Sequence, residues 1–309
     1  MGGPAIEIQG LEKTFTGHLS IGRIHALRGV DLSVPRGVIY GFLGPNGAGK
    51  TTTLKVLTGL LRPDRGTVRL LGAPAGKRDT RAHIGFLPET PYFYDYLTGA
   101  ELLRFFGRLH GLGARTLDEK VPALLKLVGL EGRGNLPLRK YSKGMLQRAG
   151  LAQALLNDPE LVILDEPMTG LDPIGRREIR DLILSLRTQG KTVFFSSHIL
   201  ADAEMICDEV AILVGGKVVQ QGSLEKLLGS DVRFWDVALA GCPEETRGWD
   251  GAELITKSGD QMLLRVELEG ELQSLLDRAR GAGARVVSVA PHKASLEDLF
   301  LSHMPGGDA

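Results

Sequence analysis

Val38-Ile39-Tyr40-Gly41-Phe42-Leu43-Gly44-Pro45-Asn46-Gly47-Ala48-Gly49-Lys50-Thr51-Thr52 is the stretch whose reading decides the fold. Val38 to Leu43 is an uninterrupted apolar run, the pattern of a parallel strand covered on both faces rather than of a half-exposed one. It ends in glycine, and residues 51 to 60 then read as a helix. Between them, Gly44 to Thr51 fits G-x-x-x-x-G-K-[ST] in the strand–turn–helix setting that its mechanism requires. Glycines there let backbone N–H groups close around phosphate oxygens, Lys50 can reach the β- and γ-phosphates, and the Thr51 hydroxyl can ligate Mg²⁺. Gly44, Pro45, Asn46, Gly47, Ala48, Gly49, Lys50, Thr51 and Thr52 are thus the candidate phosphate-binding residues. The plainer alternative is a glycine turn beside a surface lysine.

Downstream, Leu161 to Leu164 is a second buried-strand pattern, leading into Asp165-Glu166-Pro167. Two acids at the carboxyl end of such a strand stand where open α/β sheets bind ligands. Asp165 is expected to hold Mg²⁺, and Glu166 to accept a proton from an attacking water. Taken alone, the pair also fits a charged helix N-terminus; the cradle upstream favours the chemical reading.

The rest of the chain supports an α/β enzyme with an appendage. At 309 residues it is long enough for two domains with a full core, which excludes a disulfide-stapled miniature scaffold. With 43% hydrophobic and 24% charged residues it is far from the composition of disordered chains. Its longest apolar runs fall well short of a membrane-spanning helix. Glu7 and Glu12 occupy the place of a signal peptide's apolar segment, so the expected location is the cytosol. Cys207 and Cys242 have no metal-site spacing and read as ordinary thiols. Residues 1–230 carry 29 Lys+Arg against 23 Asp+Glu and residues 231–309 carry 8 against 14, so the two parts differ in kind. An excess of six positive charges over 230 residues is too dilute to argue nucleic-acid binding.

Short strand-like runs (Ile6–Ile8, Val30–Val34) open the chain, and Gly66–Leu71 follows the Pro63-Asp64 turn. From about residue 98 the period becomes helical, with Leu102, Leu103, Phe105, Phe106 and Leu109 on one face; Thr116 and Glu119 read as a capping box for the next helix. Strands at 161–164, 192–195 and 210–214, with a helix at 174–186, restore the alternation of a parallel sheet. After Gly229 the pattern changes to a strand at 234–239, a hairpin across Lys257-Ser258-Gly259-Asp260, a helix at 272–279, a strand at 285–289 and a short helix at 296–301. These define expected domains 1–229, with a helical section at about 90–158, and 230–309, a small α+β domain.

Tyr141-Ser142-Lys143-Gly144-Met145-Leu146-Gln147-Arg148 lies between the two motifs, and Gly170-Leu171-Asp172 and Ser196-Ser197-His198 follow them. In this order and spacing, residues 5–227 resemble the ATP-binding subunits of ABC transporters. The resemblance implies a P-loop NTPase (RecA-like) parallel sheet with an N-terminal antiparallel β part and an inserted helical subdomain. It implies that Ser142 and Gly144 stand for the signature motif that meets the γ-phosphate held by a second subunit, that Asp172 lies in the loop crossing the dimer interface, and that His198 senses the γ-phosphate. Phe15 matches the aromatic that stacks on adenine. Lys50, Glu166 and His198 are then the catalytic candidates, and Thr51, Asp165 and Glu89 the Mg²⁺ ligands. Two positions depart from the family pattern. The usual Leu-Ser-Gly-Gly-Gln is Tyr141-Ser142-Lys143-Gly144-Met145, and the glutamine expected in Gly85-Phe86-Leu87-Pro88-Glu89 is Glu89. Similar sequences of the drug-, sodium- and polysaccharide-exporting branch also carry a glutamate there.

The expected function is ATP hydrolysis by a homodimer holding two Mg-ATP, driving a separate transmembrane permease, with export as the direction and no direct nucleic-acid partner. Through the permease the subunit would sit peripherally on the inner face of the cell membrane. Tyr92, Tyr94 and Tyr96, crowded into Pro91 to Tyr96, form either a buried aromatic cluster or, as favoured here, the docking surface for that permease. The alternative function is a soluble ABC-type ATPase acting on ribosomes or nucleic acid, although its relatives usually carry two cassettes or a coiled-coil insertion.

Overall fold

A computed structural model describes residues 3–16, 22–229, 232–241 and 251–302. These divide into two compact units, one within Met1–Leu224 and Phe300–Ala309 and the other within Glu225–Leu299. Cys242 lies outside the described residues; Cys207 is buried, and burial holds its thiol well above the usual range.

The first unit opens with β1 (Ile6–Thr16) and β2 (Arg23–Val34), an antiparallel pair in which Ile6 faces Val34 and Phe15 faces Ile24. Next come β3 (Ile39–Leu43), α1 (Lys50–Leu57), β4 (Arg65–Leu70) and β5 (Ala73–Pro74). One sheet has the order β2-β1-β4-β5 and is antiparallel throughout. β2 alternates buried and exposed residues towards its end, as expected of a sheet with one face on the core.

The second sheet is built from β3 with β6 (Ile84–Leu87), β7 (Leu161–Asp165), β8 (Thr192–Ser197), β9 (Glu209–Val214) and β10 (Lys217–Ser223), in the order β10-β9-β3-β8-β7-β6. All its neighbours run parallel except the β9–β10 pair at one edge. Every residue of β3, β7 and β8 is buried, which accounts for their apolar runs Ile39–Leu43, Leu161–Leu164 and Val193–Phe195. α1 packs against β7 of this sheet and against β2 and β4 of the other, so one helix caps both layers of the core.

Between β5 and β7 lie the short α2 (Arg78–Ala82) and then α3 (Gly99–Leu109), α4 (Ala114–Leu127) and α5 (Lys143–Ala154), the helical section. Its capping differs from expectation. The box forms at Thr98, whose hydroxyl accepts from Glu101 N while Glu101 Oε2 accepts from Thr98 N; Thr116 lies inside α4, whose N-cap is Gly113. Ser/Thr-x-x-Glu occurs at both places, and the helix begins three residues earlier than the second one would set it. α6 (Pro173–Thr188) buries Ile179, Leu182, Ile183 and Leu186, and α7 (Leu200–Ile206) follows β8.

In the second unit, after α8 (Leu224–Leu228), β11 (Val232–Ala240), β12 (Glu253–Ser258), β13 (Gln261–Val266) and β14 (Arg285–Lys293) form an antiparallel sheet ordered β12-β13-β11-β14. The hairpin pairs Ser258 with Gln261 around Gly259, whose φ is +61°. α9 (Glu269–Gly281) lays Leu272, Leu275 and Ala279 on Val237, Leu239, Met262, Leu264 and Val266. α10 (Leu296–Leu301) is the last element among the described residues.

Candidate functional site

The turn after β3 is shaped by contacts that only glycine allows. A Cβ on Gly44 would stand 2.3 Å from the Leu213 carbonyl oxygen, and Gly49 has φ +111° with Ala26 O 2.6 Å from where its Cβ would be. Gly49 is also the N-cap of α1, so the helix starts at Lys50 with its free N–H groups turned to the loop. Gly44, Pro45 and Ala48 build the loop, while Asn46, Gly47, Gly49, Lys50, Thr51 and Thr52 line a cavity of about 640 Å³. Glu89, Glu166 and His198 line the same cavity.

Lys50 is buried, and its ammonium is held from three sides. It donates to Gly44 O at 2.7 Å and Pro45 O at 3.1 Å, and meets Glu166 Oε1 at 3.3 Å. Glu166 reaches it because its backbone turns left-handed, φ +49°, directly after β7. For a side chain other than glycine that conformation costs about 1–2 kcal/mol, which the surrounding bonds must offset. Glu166 N donates to Ser196 Oγ at 2.9 Å; its other carboxylate oxygen accepts from Thr169 Oγ1 at 2.9 Å and lies 2.8 Å from His198 Nδ1. A carboxylate that only accepts makes Nδ1 the donor of this pair.

Asp165, one residue earlier, points to the other side of the pair. Its Oδ1 accepts from Ser196 Oγ at 2.7 Å and from Thr51 Oγ1 at 3.3 Å. Burial raises its pKa, the two hydroxyls and Lys50 pull it back, and Glu166 adds to the rise. Asp165 does not itself line the cavity; it stands behind Thr51, which does, as does Glu89, and these oxygens are a hard donor set of the kind that suits Mg²⁺, which takes few protein ligands and leaves places for phosphate and water. Among the described residues no group of three or more His, Cys, Asp or Glu is placed to hold a metal ion.

Other predicted residues lie elsewhere. Phe15 is 41% exposed and does not line the cavity; Ile24, opposite it on β2, does. Ser142 is the N-cap of α5 and accepts from Met145 N; Asp172 is the N-cap of α6 and accepts from Gly175 N at 2.7 Å. Gly144 and Leu171 bring these two helix starts together, a Cβ on Gly144 standing 3.6 Å from Leu171 Cδ2. None of Ser142, Gly144 and Asp172 lines the cavity. Tyr92, Tyr94 and Tyr96 are 92%, 56% and 64% exposed, so the buried-cluster alternative does not hold.

Sequence reasoning missed Ser196 and Thr169, which anchor the two acids, and His25, Ala26, Arg28, Gly215 and Gly216, which form the far wall of the cavity. Only the Gly215-Gly216 pair carried a signal: a Cβ on Gly216 would meet Ala26 O at 2.7 Å, and Arg28 N donates to its carbonyl.

Residues 27–169 match the family model described as ABC transporter. An ABC transporter ATP-binding protein of Synechocystis sp. is 46% identical over 91% of this chain and 79% of its own length. The chain belongs to the ATP-binding proteins of ABC transporters. The Nod factor export ATP-binding protein I of Cupriavidus pinatubonensis is 38% identical, covering 88% of this chain and 84% of its own. Among solved structures, a dimeric ATP-binding cassette in a post-hydrolysis state with ADP and Pi superposes with a TM-score of 0.65 at 25% identity, over 71% of this chain and 98% of that one. This ATP-binding subunit therefore binds and hydrolyses ATP, and subunits of its family work with a transmembrane partner. Among its described residues no helix is long and apolar enough to cross a membrane.

Proposed function

We propose that two copies of the subunit close around two Mg-ATP and drive a separate transmembrane permease, with export as the direction. One observation carries this reading. Lys50, Glu166 and His198 converge on the cradle, whereas Ser142, Gly144 and Asp172 stand together at two helix starts outside it. Each copy then offers two half-sites, and the N-terminus of α5 in one copy would complete the phosphate site of the other through its free N–H groups. That a similar cassette was solved as a dimer supports the reading. Export is supported by the name of the Nod factor export relative.

Within the site, Lys50 would exchange its contact with Glu166 for the phosphate oxygens and stabilise charge on the transferred phosphoryl group. Glu166 Oε1, released from Lys50, is the oxygen that would take the proton of the attacking water; Thr169 and His198 hold Oε2 and with it the carboxylate's orientation. Thr51, Asp165 and Glu89 would hold Mg²⁺, which when bound supplies Lewis-acid stabilisation of the phosphate oxygens. Adenine would rest on the β1–β2 side, against Ile24 with Phe15 beside it.

The permease would dock at the tyrosines. Tyr92 lines an apolar cavity of about 370 Å³ with Leu60, Phe86, Pro91, Phe93 and Phe106. Tyr94 stacks edge-on to Phe105 and lies 5.7 Å from Tyr96. Exposed aromatics over an apolar cavity fit an amphipathic helix of the partner. Alanine at Tyr92, Tyr94 and Tyr96 should abolish recovery of the permease with affinity-tagged subunit from native membranes while leaving nucleotide binding intact. Undiminished recovery of the permease would place docking elsewhere.

A further inference from the structure

A second concavity, of about 450 Å³, opens between the end of α1 and the β4–β5 turn. Its floor is apolar: Val56, Leu61, Val68 and Ala75 belong to or pack on the core. Its wall is made where two backbone segments meet, since a Cβ on Gly59 would stand 2.7 Å from Gly76 Cα. Arg62, Lys77 and Arg81 complete the lining, and no carboxylate contributes to it. Arg81 is fixed to the wall by donating to Gly59 O at 3.3 Å.

None of these three cations forms an ion pair among the described residues, whereas Lys13, Arg36 and Arg104 each have a carboxylate within 2.9 Å. The local sequence gives the reason. Residues 55–83 hold seven Lys and Arg (55, 62, 65, 69, 77, 78, 81) and two acids, Asp64 and Asp79. Asp64 is bound to Lys13 and Thr14, and Asp79 does not line the concavity. Three unmatched cations around one hollow repel each other and are all relieved by a single multivalent anion. Two guanidinium forks and an ammonium suit phosphate oxygens, and the volume is that of a small-ligand site.

We propose that Arg62, Lys77 and Arg81 form a binding site for a phosphate-bearing anion, distinct from the nucleotide site. Two sources present that group: an anionic phospholipid headgroup or a soluble phosphate ester. The lipid source rests on the docking reading above, because the concavity shares Arg81 with the apolar cavity under Tyr92 and would face the membrane with it. Cations at such a surface attract anionic lipid in proportion to their number.

The test uses the full chain with a saturating non-hydrolysable ATP analogue, so that the cradle is filled. One arm measures sedimentation with phosphatidylcholine vesicles with and without phosphatidylglycerol; the other titrates glycerol 3-phosphate by calorimetry. The variant is Arg62→Gln with Lys77→Gln, leaving Arg81 to hold the wall. The charge-matched control is Arg115→Gln with Lys257→Gln, outside the concavity. Binding in one arm should fall by about tenfold or more in the variant and by less than about twofold in the control. Basal ATPase activity without ligand should be unchanged in both. A selective loss in the vesicle arm identifies the lipid headgroup, and one in the calorimetric arm identifies the soluble ester. Equal losses in variant and control, or no binding by the wild type in either arm, would overturn the proposal. The soluble arm stands whether or not the tyrosine face docks a permease, so the two failures are distinguishable.

Discussion

Replacing Glu166 by Gln changes one atom of the site and separates its two tasks. The carboxylate has one oxygen committed to Thr169 and His198 and the other 3.3 Å from Lys50. The glutamine carbonyl can keep the first set of contacts, placing the amide nitrogen beside Lys50. That nitrogen cannot accept a proton from water. A positioned general base contributes about 10²- to 10⁴-fold, so the hydrolytic barrier should rise by about 2.7–5.4 kcal/mol. Binding should survive, because Lys50 keeps the Gly44 and Pro45 carbonyls and gains the phosphates; loss of a competing carboxylate favours an affinity equal to or tighter than that of wild type. Single-turnover hydrolysis of radiolabelled ATP, with fluorescence titration of the nucleotide, measures both. Turnover within about tenfold of wild type would refute Glu166 as the base, and loss of ATP binding would show that the carboxylate builds the cradle instead.

Two further outcomes follow from the burial of neighbouring groups. Asp165→Asn should raise the melting temperature of the nucleotide-free protein near neutral pH. Burial lifts the folded pKa of Asp165 above its unfolded value, so ionisation costs stability above that folded pKa and costs nothing once pH falls below the unfolded value, where the advantage of the variant should vanish. Melting curves across pH check it, and a constant difference at all pH values would contradict it. Gly44→Ala places a methyl 2.3 Å from Leu213 O, which should cost about 1–3 kcal/mol in a chemical-denaturation experiment and weaken ATP binding; an unchanged midpoint would mean that the loop yields freely.

What could be read from the sequence was local. The Val38–Thr52 stretch carried its own strand, turn and helix, and the apolar 161–164 run ended at the two acids, because a doubly buried strand leaves a continuous signal. Helix faces such as Ile179, Leu182, Ile183 and Leu186 were equally plain. What could not be read depends on residues distant in sequence. Ser196 reaches Asp165 across adjacent strands 31 residues apart, and the wall opposite the cradle is carried in by the β1–β2 and β9–β10 pairs. Thr98 and Thr116 began equivalent capping patterns, and local spacing could not choose between them. The exposure of Tyr92 likewise was not legible in its own run, since the cavity that it lines with Phe93 is completed by Phe106 of α3.

The pairing of two incomplete sites is tested most directly by light scattering of the Glu166→Gln subunit with and without Mg-ATP, alongside the same variant carrying Ser142→Arg at the start of α5. The expected result is a mass near the 33.3 kDa of one chain without nucleotide, about twice that with Mg-ATP, and no increase when Ser142 is replaced. One unchanging mass in all conditions, under nucleotide saturation confirmed by titration, would contradict a site completed across two copies.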